Sequence, residues 1–400
     1  MVALGNRRDR ISVQLYAENK HEYPIMSVSP KPPLIWTNIL LFSLTLLGAL
    51  ILVPAWGVYH GFGLAEVVGC ILLLGYSGIS ITAGYHRLWS HKTYEAHPVL
   101  KVIFAIGGAF ALQNSALHWS SDHRVHHRHV DNNEKDPYSA GRGFWYSHIG
   151  WMLREYQGDS YDDYRNVRDL TRDKVVMWQH KYYLRLVLAT NIGIPVIFGL
   201  FSGDVIGAFL MCGLLRLVLS HHFTFFINSL AHIWGKQTYT DKNSARDNGF
   251  LAFLTYGEGY HNFHHLFEYD YRNGIRWWQF DPTKWLIKSC SWLGLTRKLK
   301  KSPEERIQAA RYHMQLQRLQ SRLQGRSNTE QLIAKTQAEY EELLAKLNAF
   351  YSTRKRLLDL KKRRMLKRYE QSELVTQCRE LQQRWLAQHK QWRQLTAQYA

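Results

Sequence analysis

Residues 32–59 read PPLIWTNILLFSLTLLGALILVPAWGVY. No charge interrupts this run, and it exceeds the roughly 20 residues needed to cross a bilayer core. A second apolar run, residues 61–85, follows after a very short link and carries one acid, Glu66. The two therefore pair as a helical hairpin. The pattern repeats later in the chain: residues 183–201 and 205–227 are apolar and are separated by Ser202-Gly203-Asp204. Arg216 lies inside the last run, where lipid exposure is expensive, so it is expected to face protein. Residues 98–117 are also apolar, with one lysine, but both of their flanks carry the same kind of chemistry. They are read as a re-entrant or interfacial helix. The reading is four transmembrane spans, at about 34–58, 61–85, 183–201 and 205–227.

Basic residues lie before the first span, between the second and third, and after the fourth. The two tight links carry none. The excess of Lys and Arg on cytoplasmic loops places both termini in the cytoplasm. The fold class is thus all-α: an integral, multi-pass membrane protein with a cytoplasmic, His-rich helical cap. A polar segment over residues 1–32 precedes the membrane domain, which covers 33–300.

The chain has 400 residues and a formal net charge of +19. Residues 301–400 hold 21 basic and 10 acidic residues, so more than half of that excess sits in the last quarter. An aromatic share of 14% excludes general disorder. The four cysteines, Cys70, Cys212, Cys290 and Cys378, are far apart and form no CxxC pair, which excludes a disulfide framework and a thiolate zinc site. In the tail, Gly325 reads as a helix stop and Ser327 to Glu330 as a capping box. Tyr340, Leu344, Leu347, Tyr351, Leu358 and Met365 recur at heptad spacing, which predicts a coiled coil or long helical hairpin over 301–400 and allows self-association. Lys361 to Arg364 read as a solvated helix face, and next as an attraction to anionic lipid. Aromatics do not interleave with these charges as a base-stacking surface would require, so no nucleic-acid partner is expected.

The unusual number is 20 histidines. They cluster as HRLWSH at 86–91, HRVHH at 123–127 and HNFHH at 261–265. Positions i, i+3 and i+4 share one face of a helix, so each HxxHH presents three imidazoles to one side. With His86 and His91 that makes eight nitrogens, too many for one tetrahedral zinc and suited to two metal ions. Imidazole accepts iron, copper and zinc alike.

At these positions the chain resembles the acyl-CoA delta-9, stearoyl-CoA type, fatty acid desaturases, in a bacterial-like form with a C-terminal extension. The resemblance rests on the three histidine motifs, with GEGY preceding the third, and on Asn228-Ser229-Leu230-Ala231-His232. It also takes in Gln113-Asn114, Asp136-Pro137, Gly141 to Phe144 and Ser147 to Trp151, and it covers about residues 30–300. It implies two irons held by His86, His91, His123, His126, His127, His232, His261, His264 and His265, with Asn228 acting through water. It implies an O₂-dependent enzyme that inserts a cis double bond into a long-chain acyl-CoA. Electrons would come singly from a separate ferredoxin, or from a b-type cytochrome with its reductase. Gln113, Asn114 and Trp119 would line the substrate route. Ser121 stands where animal members carry an arginine that helps bind CoA, which leaves a glycerolipid-bound acyl chain as an alternative substrate. Arg87, Lys92, Arg142 and Lys174 are the basic groups expected to meet phosphates. A hydroxylase or ketolase on the same scaffold is the nearest other chemistry. The expected location is a membrane of bacterial inner-membrane type. No ligand falls within 302–400, so its removal is expected to leave the chemistry largely unchanged.

Overall fold

The structure is a computed structural model that describes residues 31–158, 161–325, 328–363 and 368–399. The N-terminal segment therefore lies almost wholly outside the described residues, as do Ser327, Arg364 and Met365 of the tail motifs.

Four helices are long and apolar enough to span a membrane: α1 (Trp36–Tyr59), α2 (Leu64–Ser90), and two further ones at Tyr183–Ser202 and Val205–Ile233. Their lipid-facing side chains are exposed, as for Leu44, Leu50, Leu72 and Leu200. At the far end from the cap, the Trp56 indole donates to Asp204 Oδ2 at 3.2 Å, and Asp204 Oδ1 accepts the Gly207 amide at 2.8 Å. These bonds tie the two hairpins together at their tips. The second and fourth spans run past their expected ends, to Ser90 and Ile233, and so carry His86 and His232 beyond the apolar runs, the fourth through a break at Ser229.

The last ten or so residues of α2 are not α-helical. Ser80–Ser90 is a π-helix, and the His91 amide donates to the His86 carbonyl at 3.1 Å. On an α-helix, residues five apart would point about 140° away from each other. The wider turn brings His86 and His91 to one face.

Residues 98–117 form no through-going span. Helix α3 (Pro98–Ala111) stops at Leu112 and Asn114, both with positive φ, and α4 (Ala116–His129) leaves at 80° to it. The Ser115 hydroxyl caps α4 by accepting the His118 amide. Helix α3 packs closely on α2 through its small residues. A side chain at Gly108 would enter the Tyr85 ring, so the contact requires glycine. Arg216 faces protein as expected. It is fully buried, donates to the carbonyls of Cys212 and Phe110 and to Asn191 Oδ1 at 2.6–3.0 Å, and lies over the Phe110 ring.

The chain continues with α5 (Lys174–Lys181), α6 (the Tyr183–Ser202 span), α7 (the Val205–Ile233 span), α8 (Gly249–Leu254), α9 (His261–Leu266) and α10 (Pro282–Trp292). A two-residue antiparallel pair, Glu95–Ala96 with Thr296–Arg297, closes the cap.

The tail is helical throughout its described residues: α11 (Glu304–Leu323), α12 (Thr329–Lys362) and α13 (Arg368–Gln398). They form one three-helix cluster, with Tyr312, Leu316, Leu319 and Leu323 of α11 buried against Leu343 and Leu347 of α12 and Trp392 of α13. The apolar seam is thus satisfied within one chain. Leu347 of the heptad reading lies in this core and Tyr340, Leu344 and Tyr351 pack against it, but the fully buried positions differ in part. The buried positions of α12 are Thr336, Leu343, Leu347, Phe350 and Leu357, whereas Leu358 is exposed. Helix α12 packs on two partners, so its apolar face is broad and adjacent leucines compete for the seam.

This register has a direct test. Leu347→Ala should cost about 2–5 kcal/mol of bundle stability, as large-to-small core changes do. Leu358→Ala should cost less than about 0.5 kcal/mol. Thermal unfolding of the full chain, followed by circular dichroism, separates the two.

Candidate metal centre

Nine histidines converge where α2, α4, α7 and α9 meet. His86, His91, His123, His127 and His264 form one group, and His126, His232, His261 and His265 form a second. Within each group the nitrogens lie within 4.8 Å of one another. These are the nine histidines that the resemblance implies. In the first group, Nε2 of His86 lies 3.0 Å from that of His264, His91 lies 2.8 Å from His123, and His264 lies 3.0 Å from His127. In the second, His261 lies 3.1 Å from His232 and 3.0 Å from His265, and His126 lies 3.4 Å from His265.

The outer nitrogens explain the orientation. His126 Nδ1 meets Asp136 Oδ1 at 2.9 Å, and His127 Nδ1 meets Glu268 at 3.3 Å. His232 Nδ1 meets the Ser244 hydroxyl at 2.7 Å, and that hydroxyl donates to Asp131 at 2.5 Å. His86 Nδ1 lies 2.9 Å from Glu258, close enough for an ion pair though off the line of a hydrogen bond. Partners behind a ring fix its tautomer and leave Nε2 with an inward lone pair. Several lone pairs about 3 Å apart repel one another unless a cation sits among them. The donor set therefore fits metal ions, one with five imidazoles and one with four.

Sequence reasoning did not single out this supporting layer. Glu258 and Asp136 lay inside quoted motifs without a role, and Glu268, Asp131 and Ser244 had no signal. Arg87 is a correction. It is buried and donates to Glu258 and to Asp281 at 2.8–3.1 Å and to the Tyr271 carbonyl at 2.9 Å, so it is not free to meet phosphate. Burial pushes the Glu258 carboxyl up, but His86 and Arg87 outweigh it and hold Glu258 below the usual carboxylate range. Lys92 pairs with Asp169 at 3.0 Å, and Arg142 stacks on Tyr146, while Lys174 is exposed.

Of the expected substrate residues, Trp119 stacks on His123 with ring centroids 4.8 Å apart. Gln113 donates to the Thr224 hydroxyl at 2.8 Å, and its Oε1 is buried without a partner. Asn114 donates to the Tyr161 hydroxyl and lines a cleft of about 540 Å³ with His118, His180, Lys181 and Arg185. Ser121 donates to Asn166 Oδ1 at 2.8 Å. Asn228 is half-buried at the break in α7, one turn before His232.

Fold and site together define a multi-histidine membrane metalloprotein. The fatty acid desaturase profile matches residues 62–291, and the chain belongs to that family. It is 45% identical over 243 residues to a probable acyl-CoA desaturase of Schizosaccharomyces pombe, covering 60% of this chain and 50% of the yeast protein. It is 37% identical over 287 residues to an acyl-CoA desaturase of Cyprinus carpio, covering 70% of this chain and 86% of the carp protein. It is 35% identical over 280 residues to an sn-2 palmitoyl-lipid 9-desaturase of a Nostoc species, covering 68% and 93%. The chain thus spans half the length of the S. pombe relative.

Burial and then neighbouring imidazoles push His91, His123, His261, His264 and His265 far below their ordinary value, and burial takes His127 down to about 4 against the opposing hydrogen bond with Glu268. A group with a lowered folded value adds stability that is complete above its unfolded value near 6.5. That stability is lost as pH falls toward the folded value. The metal-free protein should therefore lose stability progressively as pH falls below about 6.5. Melting of chelator-treated protein at pH 7.5, 6.0 and 5.0 checks this; a flat profile contradicts it.

Proposed function

We propose that this protein is an O₂-dependent desaturase that inserts a cis double bond, at C9, into a saturated long-chain acyl-CoA. The observation that carries the reading is the pair of imidazole groups, five and four, at the mouth of a membrane helix bundle. Bound there, two irons would supply the oxidising power to break an unactivated methylene C–H bond, which no general base can do. The overall balance removes two hydrogens from the chain and reduces O₂ to two waters, with two electrons and two protons from a donor.

The chain's own residues supply position and dryness. The nine histidines would hold the irons, and Asn228 would act through water. Trp119, stacked on His123, places an apolar wall beside the first group. Gln113, anchored on Thr224, presents an unpartnered amide oxygen at the break between α3 and α4. The cleft next to Asn114 carries exposed Lys181 and Arg185, cations suited to an anionic head group. Fixing the head there makes the choice of carbon a matter of distance along the chain. Both termini are assigned to the cytoplasm, where a ferredoxin or b-type cytochrome delivers electrons. A glycerolipid-linked chain is the second reading for the substrate. It is favoured by Ser121, which adds no charge at the head-group side, and by the likeness to the Nostoc lipid 9-desaturase.

Expression in a desaturase-deficient host, followed by gas chromatography of fatty acid methyl esters, should reveal a new cis-9 monoene. An oxygenated product would overturn desaturation in favour of hydroxylation. His127→Ala and His264→Ala should each abolish product while the protein still inserts into membranes. Turnover in either variant refutes its ligand role.

A further inference from the structure

We propose that the C-terminal bundle braces the metal centre, with Ile307 as the positioning residue. Helix α9 carries three of the nine ligands, yet it has only six residues. A helix that short has no stability of its own and takes its shape from packing. Its histidine face points to the metal groups, and the other face carries Asn262 and Phe263, both buried.

Those two side chains anchor α9 in different ways. The Asn262 amide accepts from the backbone of Tyr239 and Thr240 and donates to the carbonyls of Thr240 and Ala245, at 2.7–3.2 Å. Phe263 sits between His261 and His264 in sequence and packs in a small core with Tyr239 and Ile307. Its ring lies 5.2 Å from that of Tyr239. Ile307 is fully buried there although it lies in the first turn of the tail. Polar bonds fasten the same junction. The Ser302 amide donates to Asp270 Oδ2 at 2.8 Å, the Tyr271 amide donates to the Lys300 carbonyl at 3.0 Å, and the Lys300 amide donates to the Thr93 carbonyl at 2.9 Å. Thr93 is two residues beyond His91. Arg318 donates to the Gln237 carbonyl further along α11.

Helix α11 thus belongs to two cores. Ile307 and Ala310 complete the packing behind the α9 ligands, and Tyr312, Leu316, Leu319 and Leu323 are held by α12 and α13. The profile match ends at residue 291, so this support comes from outside the matched region. The structure alters the expectation that 302–400 can be removed without consequence: a cut at 302 takes away a wall of the core behind α9.

The test uses the full-length protein in detergent with Ile307→Asp and Ile307→Val. Backbone hydrogen exchange over 261–267 should rise on the order of tenfold or more in the Asp variant, with the spans unchanged. Iron release to a chelator should accelerate on the order of tenfold, the scale seen when support behind a metal ligand is lost. The Val variant should restore both. Ile307→Ala, which removes volume without burying a charge, decides the matter where the Asp variant does not accumulate. Exchange gains confined to 302–323, with 261–267 still protected and iron retention unchanged, would overturn the proposal. The iron readout rests on the metal assignment. A wild-type protein that binds no iron would defeat that assignment alone, because the exchange comparison still decides the brace.

Discussion

Nine imidazole lone pairs aimed at two small volumes are the constraint from which the rest of the architecture follows. Each ring must be neutral, in one tautomer, and held against repulsion from its neighbours. Burial favours the neutral form of His91, His123, His127, His261, His264 and His265, and carboxylates or hydroxyls behind several of the rings set the tautomer. That arrangement moves the electrostatic problem outward, because buried carboxylates need partners of their own. Arg87 resolves it on one side by bridging Glu258 and Asp281, and Asn273 adds a 2.6 Å bond to Glu258. The π-helical end of α2 serves the same constraint. It turns His91 toward His86, and it also places Arg87 beside His86 to face Glu258.

The membrane spans act as mounts for this centre. Helix α2 leaves the bilayer without a break in helical structure and α7 leaves it through a break at Ser229, and they deliver His86 and His232 from well-packed elements. The bend between α3 and α4 does the complementary work. It ends an apolar helix at membrane depth and starts a polar one carrying His123, His126 and His127. Trp119 and Gln113 fall at that change of medium. The cleft beside Asn114 opens at the same bend and carries Lys181 and Arg185.

Much of this was legible in the sequence because the signals were local. Uninterrupted apolar runs announced the spans, and the i, i+3, i+4 spacing announced two of the histidine faces. His86 and His91 were legible as a motif but not as geometry, since a five-residue spacing meets on one face only in a π-helix. The carboxylate layer was illegible for another reason. Glu268 and Asp131 come from loops, and nothing in their neighbourhood distinguishes them from solvated acids until the chain is folded. Arg87 was misread because an arginine beside a motif looks available, whereas its partners, Glu258 and Asp281, lie some 170 to 194 residues away. The seam of α12 is legible at Tyr340, Leu344, Leu347 and Tyr351, but Leu358 falls outside it because leucine pairs at 343–344 and 357–358 offer two registers. Only the presence of a third helix chooses between them.

The boundary at residue 301 marks a change in composition, and composition is a statement about solvent rather than about packing. Beyond Ser302 the chain becomes charged and glutamine-rich because most of its surface faces water. A single turn of α11 departs from that pattern by placing Ile307 against Phe263. One buried isoleucine among polar neighbours has no weight in a composition window, yet it closes the core behind a six-residue helix that bears three of the nine ligands. Helix α9 has only six residues and no stability of its own. Its rigidity must therefore come from what lies behind it. Asn262 supplies the polar half of that support from within the cap. The apolar half is completed by the tail, which makes the extension part of the frame of the metal centre rather than an appendage to it.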